Sequence, residues 1–119
     1  MLPDRHVGAA QRRATIITLI DWIEKNYTEH ISLADLAKVA GTGEKYLCRF
    51  FKAYTGTTPI DYVNRLRVEH ACRRMAEEKC NVTEAAFESG FNDMSYFSKI
   101  FKRYKGVTPR EYRNVLGRV

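Results

Sequence analysis

Two stretches of the chain are copies of one pattern: YLCRFFKAYTGTTPIDYVNR at residues 46–65 and YFSKIFKRYKGVTPREYRNV at residues 96–115. At an offset of 50, the copies share aromatic, glycine and proline positions, namely Tyr46/Tyr96, Phe51/Phe101, Gly56/Gly106, Pro59/Pro109 and Tyr62/Tyr112. Upstream the offset falls to 49, so one residue is added in the turn after Gly90. Self-similarity at a fixed spacing indicates that one supersecondary unit is present twice.

The first helix of each copy is marked by its ends. Ser32 and Asn81 each precede an acidic residue by three positions, which is the spacing of a capping box at a helix start. The helices that follow, about 33–40 and 82–89, end at a glycine in both copies. Glycine adopts the left-handed conformation after a helix at the least cost. Each copy therefore predicts a short helix followed by a tight turn.

The second helix of each copy is amphipathic and runs to about Tyr54 or Tyr104. Its apolar residues have the spacing of a buried stripe; they are Leu47, Phe50, Phe51 and Tyr54 in the first copy and Phe97, Ile100, Phe101 and Tyr104 in the second. A threonine-proline pair at Thr58 and again at Thr108 opens a further helix, with proline at its first position. No stretch alternates with a period of two. The sequence predicts an all-α protein of about seven helices.

The repeat divides the chain into two helix-turn-helix subdomains joined by a long central helix. We expect the subdomains at 14–57 and 80–119, the connecting helix at 58–79, and an N-terminal arm or linker remnant at 1–13. The apolar face of the connecting helix moves along its length, so each half can pack on a different subdomain. A helix of this length spans roughly 30 Å, similar to the roughly 34 Å between major-groove segments one turn apart.

The net charge of +6 in 119 residues is concentrated on the two second helices. The segment from Glu44 to Gly56 has a net charge of +2, and the segment from Met94 to Gly106 has +4. The outer faces of these helices carry Lys45, Arg49 and Lys52 in the first copy and Ser95, Lys99 and Lys102 in the second. A helix that enters the major groove needs a cationic, hydrogen-bonding outer face and a packed inner face. The repeated pattern therefore indicates duplex DNA as the partner.

Several other classes of protein are disfavoured. No run approaches the roughly 20 apolar residues of a membrane helix, and the first residues lack the apolar core of a signal peptide, so we expect a cytoplasmic protein. GTGEKY at 41–46 lacks the glycine spacing and the hydroxyl residue of a phosphate-binding loop, and no nucleophile has catalytic spacing to a histidine, so we expect no enzyme. Three cysteines, Cys48, Cys72 and Cys80, are an odd number in a chain expected in the cytoplasm, which predicts reduced thiols. They form no CxxC pair and the histidines are scattered, so we expect no metal and no cofactor.

A helical protein-interaction module without specific DNA binding, or a module on a membrane surface, is the alternative. This alternative requires large apolar side chains exposed on a basic helix. In this chain the apolar stripe of each basic helix is matched by the partner helix of its own copy, which favours burial of the stripe.

The stretch GFNDMSYFSKIFKRYKGVTPREYR at 90–113 resembles the signature of the AraC/XylS family of bacterial transcription regulators, and LADLAKVAGTGEKYLCRFFKAYTG at 33–56 is similar to that family's first unit. The resemblance covers about residues 14–116, and it departs from the family at Gly43, where many members have a serine. It implies two helix-turn-helix subdomains that read adjacent major-groove segments of an asymmetric site. It also implies transcriptional control, most often activation through contact with RNA polymerase. A separate sensing or dimerisation domain, which most members carry, has no room in this chain, so both a stand-alone regulator and a part of a longer protein stay open.

The resemblance also implies which residues contact DNA. The candidates are Lys45, Tyr46, Cys48, Arg49 and Lys52 in the first recognition helix and Met94, Ser95, Tyr96, Ser98, Lys99 and Lys102 in the second. Arg49 is the strongest candidate for a base contact, because a guanidinium can bind O6 and N7 of guanine together. Lys52 and Lys102 are candidates for phosphate contacts. Tyr46 and Tyr96 are equally compatible with a packing role.

Overall fold

The seven helices of the described residues begin and end close to the predicted caps. The computed structural model describes residues 8–77 and 80–117, and within these ranges it contains no strand. The helices are α1 (Ala9–Asn26), α2 (Leu33–Ala40), α3 (Glu44–Thr55), α4 (Pro59–Glu77), α5 (Val82–Glu88), α6 (Met94–Lys105) and α7 (Pro109–Gly117). The all-α prediction is confirmed.

Part of the segment predicted as an N-terminal arm, residues 1–13, is helical, because α1 already begins at Ala9. Residues 9–13 are therefore helical, and they extend α1 by more than one turn beyond the apolar pattern that identified it. Residues 1–7 of the predicted arm, residues 78–79 at the end of the predicted connecting helix, and residues 118–119 lie outside the described residues.

Both predicted capping boxes are present. Ser32 Oγ accepts a hydrogen bond from the backbone N–H of Asp35 at 3.1 Å, and Asp35 Oδ2 accepts one from the N–H of Ser32 at 2.9 Å. Asn81 and Glu84 make the same exchange at 2.8 and 3.0 Å. Each exchange gives partners to two N–H groups that the first turn of a helix leaves without them. This is why α2 and α5 start at the predicted positions.

The first of two compact units contains the described residues up to Asn26 together with His30–Val63. Here α1, α2 and α3 pack on one another. The buried apolar side chains of this unit include Ile16, Leu19, Ile23, Ile31, Leu36, Leu47, Phe50, Phe51 and Val63. Tyr54 was predicted in the buried stripe of α3 but is 41% exposed. Its hydroxyl bonds the side chain of Arg12, a polar partner that keeps this end of the ring at the surface.

The second compact unit contains Tyr27–Glu29 and the chain from Asn64 onward. In this unit α5, α6 and α7 pack on one another. Its buried core is Val68, Ala71, Cys72, Met75, Ala85, Ala86, Phe91, Phe97, Ile100 and Phe101. Tyr104, which was predicted in the stripe of α6, is partly buried against this core. The residues that follow Asn64 in α4 therefore belong to the core under α6.

The start of α4 and the start of α7 have equivalent roles in their own units. The ring of Tyr62 packs edge-on against Phe51, with centroids 5.8 Å apart and an interplanar angle of 80°. Tyr112 packs in the same way on Phe101, at 5.4 Å and 74°. The first turns of α4 thus close the first unit as α7 closes the second.

Candidate nucleic-acid interface

The outer face of α3 is cationic and exposed. Lys45, Arg49 and Lys52 are all exposed, whereas Leu47 and Phe51 on the opposite side are buried. The N-cap residue is Gly43, so no side chain caps the first turn of the helix. The three cations of α3 therefore lie on its exposed face, as predicted.

Two other predicted site residues of α3 are half-buried. Tyr46 packs its ring on Phe50 with centroids 4.9 Å apart, and its hydroxyl bonds the side chain of Arg12 in α1. Cys48 lines an open depression beside the exposed cations. Tyr46 consequently lies at the flank of α3, between the core and the exposed face, and Cys48 lies at the edge of that face.

Arg12 of α1 contacts two tyrosines of α3 and was not among the predicted site residues. Its guanidinium donates hydrogen bonds to the hydroxyl oxygens of Tyr54 and Tyr46, and these bonds raise the pKa of Arg12 above its ordinary value. The available signal was helical spacing, because Arg12 precedes the buried Ile16 by four residues and so lies on the same face of α1. The signal is weak, because the residues around Arg12 are polar and give no apolar pattern from which the start of α1 could be predicted.

The outer face of α6 is also polar and exposed. Asp93 caps the helix, with its Oδ1 accepting a hydrogen bond from the N–H of Tyr96 at 3.0 Å. Four predicted site residues are exposed on α6: Ser95, Ser98, Lys99 and Lys102. The helix contains no acidic residue. A polyanion would therefore meet two lysines and two hydroxyl groups along this face.

Lys105 adds less to the exposed charge of α6 than its sequence suggests. Its Nζ lies 2.5 Å from Oε1 of Glu69 in α4, and this hydrogen-bonded pair raises the pKa of Lys105. One of the four positive charges between Met94 and Gly106 is thus compensated inside the protein. The net charge of +4 for this segment therefore overstates the charge available to a ligand.

The remaining two predicted site residues of α6 pack within the second unit. Met94 is half-buried against the second core. Tyr96 is 42% exposed, but its hydroxyl accepts a hydrogen bond of 2.7 Å from Nδ2 of Asn64, which is only 2% exposed. Tyr46 and Tyr96 are equivalent in the repeat, and each bonds the helix that precedes its helix-turn-helix. Their hydroxyls are therefore engaged in the fold.

The turn before α6 is built around a glycine. Gly90 has a φ of 104°, and a Cβ there would lie 2.7 Å from Nε of Arg67 and 2.7 Å from the carbonyl oxygen of Tyr27. Arg67 donates hydrogen bonds to the carbonyls of Tyr27 at 2.6 Å and Glu29 at 2.7 Å. Its guanidinium lies 5.8 Å from the ring centroid of Phe91, a buried residue of the turn that contains the added position. Arg67 thus packs closely against the turn that precedes α6.

Three further observations bear on the predicted classes. No helix within residues 8–77 and 80–117 is long and apolar enough to cross a membrane. In the same part of the chain, no three His, Cys, Asp or Glu side chains are grouped as metal ligands would be. Cys48, Cys72 and Cys80 are free thiols, and burial raises the pKa of Cys72.

The sequence matches a family model described as a helix-turn-helix domain over residues 36–114. Over 80 residues it is 37% identical to the transcriptional activator RhaS of Mannheimia succiniciproducens, a match that covers 67% of this chain and 30% of that protein. The first curated relatives are matched over 27% to 33% of their length.

Solved structures show the same architecture. The DNA-binding domain of the transcriptional factor AdpA, in complex with a target DNA, has a TM-score of 0.77 and 25% identity, covering 84% of this chain and 90% of that one. A Chromobacterium violaceum transcriptional regulator with an AraC-type DNA-binding domain has a TM-score of 0.74 and 27% identity, covering 90% of this chain and 96% of that one. The family model, the relatives and the architecture agree, and this chain belongs to the AraC/XylS family of transcriptional regulators, whose DNA-binding domain it contains.

Proposed function

We propose that this chain binds specific sites in double-stranded DNA, with α3 and α6 each entering a segment of the major groove. The observation that carries the proposal is the recurrence of one exposed cationic face on two helices whose opposite faces are buried. Tandem reading of adjacent groove segments follows if both faces engage one duplex. The predicted division into subdomains at 14–57 and 80–119 is part of this proposal.

The exposed side chains differ in what they can recognise. Arg49 reads a base, because its guanidinium can donate hydrogen bonds to O6 and N7 of guanine together. Lys45 and Lys99 reach a base or a phosphate, and Lys52 and Lys102 bind phosphates. Ser95 and Ser98 supply single hydrogen bonds, and Cys48 and Met94 make apolar contact at the edges of the two faces. Tyr46 and Tyr96 act through packing, which their engaged hydroxyls support.

We also propose that DNA binding activates transcription in the cytoplasm through contact with RNA polymerase. The relatives RhaS and Btr are named transcriptional activators, which supports this direction of control. A transcription assay with purified polymerase and a template carrying the selected site tests it. More transcript in the presence of the chain is expected, and less transcript would indicate a repressor.

Selection of bound sequences from a random duplex pool tests the binding proposal. We expect two unequal motifs about 10 base pairs apart, the spacing of successive major-groove segments on one side of DNA. Binding weakens with salt, with a log–log slope of about −0.9 for each phosphate neutralised. A palindromic motif would instead indicate a symmetric dimer. A folded helical protein that binds no duplex at low salt would refute the proposal.

The alternative of a protein-interaction module requires apolar exposure on the basic helices. The strongly exposed apolar residues of the second unit include Phe87 and Val115, at 50% and 58%, and these lie on α5 and α7. On α3 and α6 the large exposed apolar residues are Tyr54 and Tyr96, whose hydroxyls are hydrogen-bonded. The charge pattern of α3 and α6 therefore favours DNA over a protein partner for these faces.

A further inference from the structure

We propose that Glu44, the first residue of α3, selects a cytosine in the bound DNA by accepting a hydrogen bond from the N4 amino group of that base. The inference rests on the proposed function and deepens it, because it adds a specificity-determining residue that was not among the predicted site residues. The ligand is the major-groove edge of one base in the duplex that α3 binds.

Glu44 is a carboxylate on a helix whose other charged residues are all positive. It is the only acidic residue of α3, and α6 has none. Glu44 is exposed, and it lines the same open depression as Lys45, Cys48 and Arg49 of α3 and Leu33 of α2. A carboxylate repels phosphates, so its presence among these cations is not explained by attraction to the DNA backbone.

The carboxylate of Glu44 is available to a ligand. In the part of the chain that the structure describes, it takes part in no hydrogen bond or ion pair, although Lys45 and Arg49 line the same depression. Asp35 and Glu111 also lie in the first turn of a helix, but each accepts a hydrogen bond from the backbone N–H of its N-cap residue. Glu44 therefore differs from these acids, whose carboxylates are used by the fold.

The second copy of the repeat shows that the fold does not require an acid at this position. Met94 is equivalent to Glu44 at the offset of 50, and it is half-buried against the second core. The first turn of α6 contains no acidic residue. A carboxylate in the first turn also stabilises a helix through the macrodipole, but that effect does not depend on the sequence of the DNA.

Cytosine is the base whose edge fits the surroundings of Glu44. A carboxylate accepts hydrogen bonds and donates none. In the major groove, guanine and thymine present acceptors, adenine presents an acceptor beside its amino group, and cytosine presents the N4 amino donor. The C5–H edge of cytosine adjoins N4 and is apolar, as are the side chains of Leu33 and Cys48 in the depression. The carboxylate and these side chains together therefore match cytosine.

Glu44 and Arg49 are expected to read different base pairs. Five residues of a helix span about 7.5 Å along its axis, and successive base pairs are roughly 3.4 Å apart. Arg49→Ala should therefore relax the preference for guanine at one position and leave the preference for cytosine at another.

Two glutamates of the first unit give a matched pair of variants for the test. Glu44→Gln and Glu24→Gln each replace an exposed carboxylate by an amide of the same shape, and Glu24 lies on α1. Bound sequences are selected from a random duplex pool with each variant and with the unaltered chain. Fluorescence anisotropy then measures affinity for four duplexes that differ only at the cytosine position.

The unaltered chain and Glu24→Gln are expected to prefer cytosine by about tenfold, as for one charge-assisted hydrogen bond. Glu44→Gln should lose this preference and shift toward adenine, because a side-chain amide matches N6 and N7 of that base. Glu44→Ala should show no preference at the position. On a duplex of unrelated sequence, both Glu44 variants should bind at least as tightly as the unaltered chain, since a charge that repels phosphates has been removed.

A cytosine preference that persists in Glu44→Gln and Glu44→Ala would overturn the inference. An equal loss of affinity for every duplex, with lower helical content by circular dichroism, would also overturn it and would assign Glu44 to the start of α3. Both results leave the proposed function intact. If the unaltered chain selects no sequence at all, the proposed function itself fails.

Discussion

The side-chain amide of Asn64 donates a hydrogen bond of 2.7 Å to the hydroxyl of Tyr96, joining α4 to the recognition helix α6. Asn64 is 2% exposed, whereas Tyr96 is 42% exposed. One side chain therefore combines a surface position on α6 with a bond into the interior. That bond ties α6 to α4 within the second unit.

Tyr96→Phe is expected to destabilise the protein by about 1–3 kcal/mol, because it leaves the buried amide of Asn64 without its partner. Urea unfolding followed by circular dichroism measures the loss. Tyr54→Phe is the control, since the partner of its hydroxyl, Arg12, is half-exposed and reaches water, whereas Asn64 is buried. An equal loss of stability in the two variants would show that the Asn64 bond contributes nothing particular.

Gly90→Ala is expected to destabilise far more than Gly106→Ala. Both glycines have positive φ, 104° and 78°, so alanine is strained at either position by roughly 1–2 kcal/mol. Only at Gly90 does the new Cβ also meet Arg67 and the Tyr27 carbonyl, whereas nothing lies within 4 Å of it at Gly106. Overpacking adds about 1–3 kcal/mol. Thermal and urea unfolding compare the two variants, and similar losses would contradict the close packing of Arg67.

Arg49→Ala is expected to weaken binding to the selected site by about 1–3 kcal/mol and to relax base preference at one position. Arg49 is exposed, so the free energy of unfolding should hardly change. Arg49→Lys is the control, because it keeps the charge but lacks the two-pronged geometry of the guanidinium. Repeating the selection with each variant measures the preference. A uniform loss across all sequences would assign Arg49 to the backbone instead.

Lys102→Ala is expected to weaken all duplex sequences alike and to make the salt slope shallower by about 0.9. Lys105→Ala is the matched control, because its ammonium is already paired with Glu69. Anisotropy titrations at several salt concentrations give both slopes. If the Lys105 variant loses as much slope as the Lys102 variant, the pair with Glu69 does not survive in solution.

Stability is expected to fall as the pH decreases from about 7 toward 5. Burial of His70, followed by the nearby charges of Arg73 and Arg74, lowers its pKa in the folded state, and Glu88 and Glu77 only partly oppose this. The unfolded chain, with a histidine pKa of about 6.5, then binds more protons than the folded chain. The contribution of His70 to stability is complete above the pKa of the unfolded chain, and it is lost as the pH falls through the lower pKa of the folded chain.

Urea midpoints at a series of pH values check this dependence on His70. The ring also bonds Ser89 through Nδ1 at 2.8 Å, and Ser89 in turn donates to the carbonyl of Ala85. His70→Gln should flatten the profile between pH 7 and 5. Asp35 and Glu111 have lowered pKa values because they accept capping hydrogen bonds. Their protonation removes these bonds and lowers the stability only at more acidic pH. An unchanged profile in the variant would exclude His70 as its source.

Helix boundaries and buried stripes were predictable because their causes are local. The cap of α2 needs only Ser32 and Asp35, three residues apart, and the stripe of α6 needs only the spacing of Phe97 and Phe101. Tyr54 and Lys105 were not predictable in the same way. Their surroundings depend on Arg12 in α1 and Glu69 in α4, which are more than 30 residues away in the chain.

The amino-acid sequence by itself determined the repeat, the seven helices and the two cationic faces, since periodicity and capping act within a few residues. Only the tertiary structure decided which polar groups those faces share with the rest of the protein. Arg12 meets Tyr46, and Asn64 meets Tyr96, across separations of more than 30 residues. Such bonds depend on how the helices pack, because a hydrogen bond requires two atoms within about 3 Å and no local pattern encodes that distance.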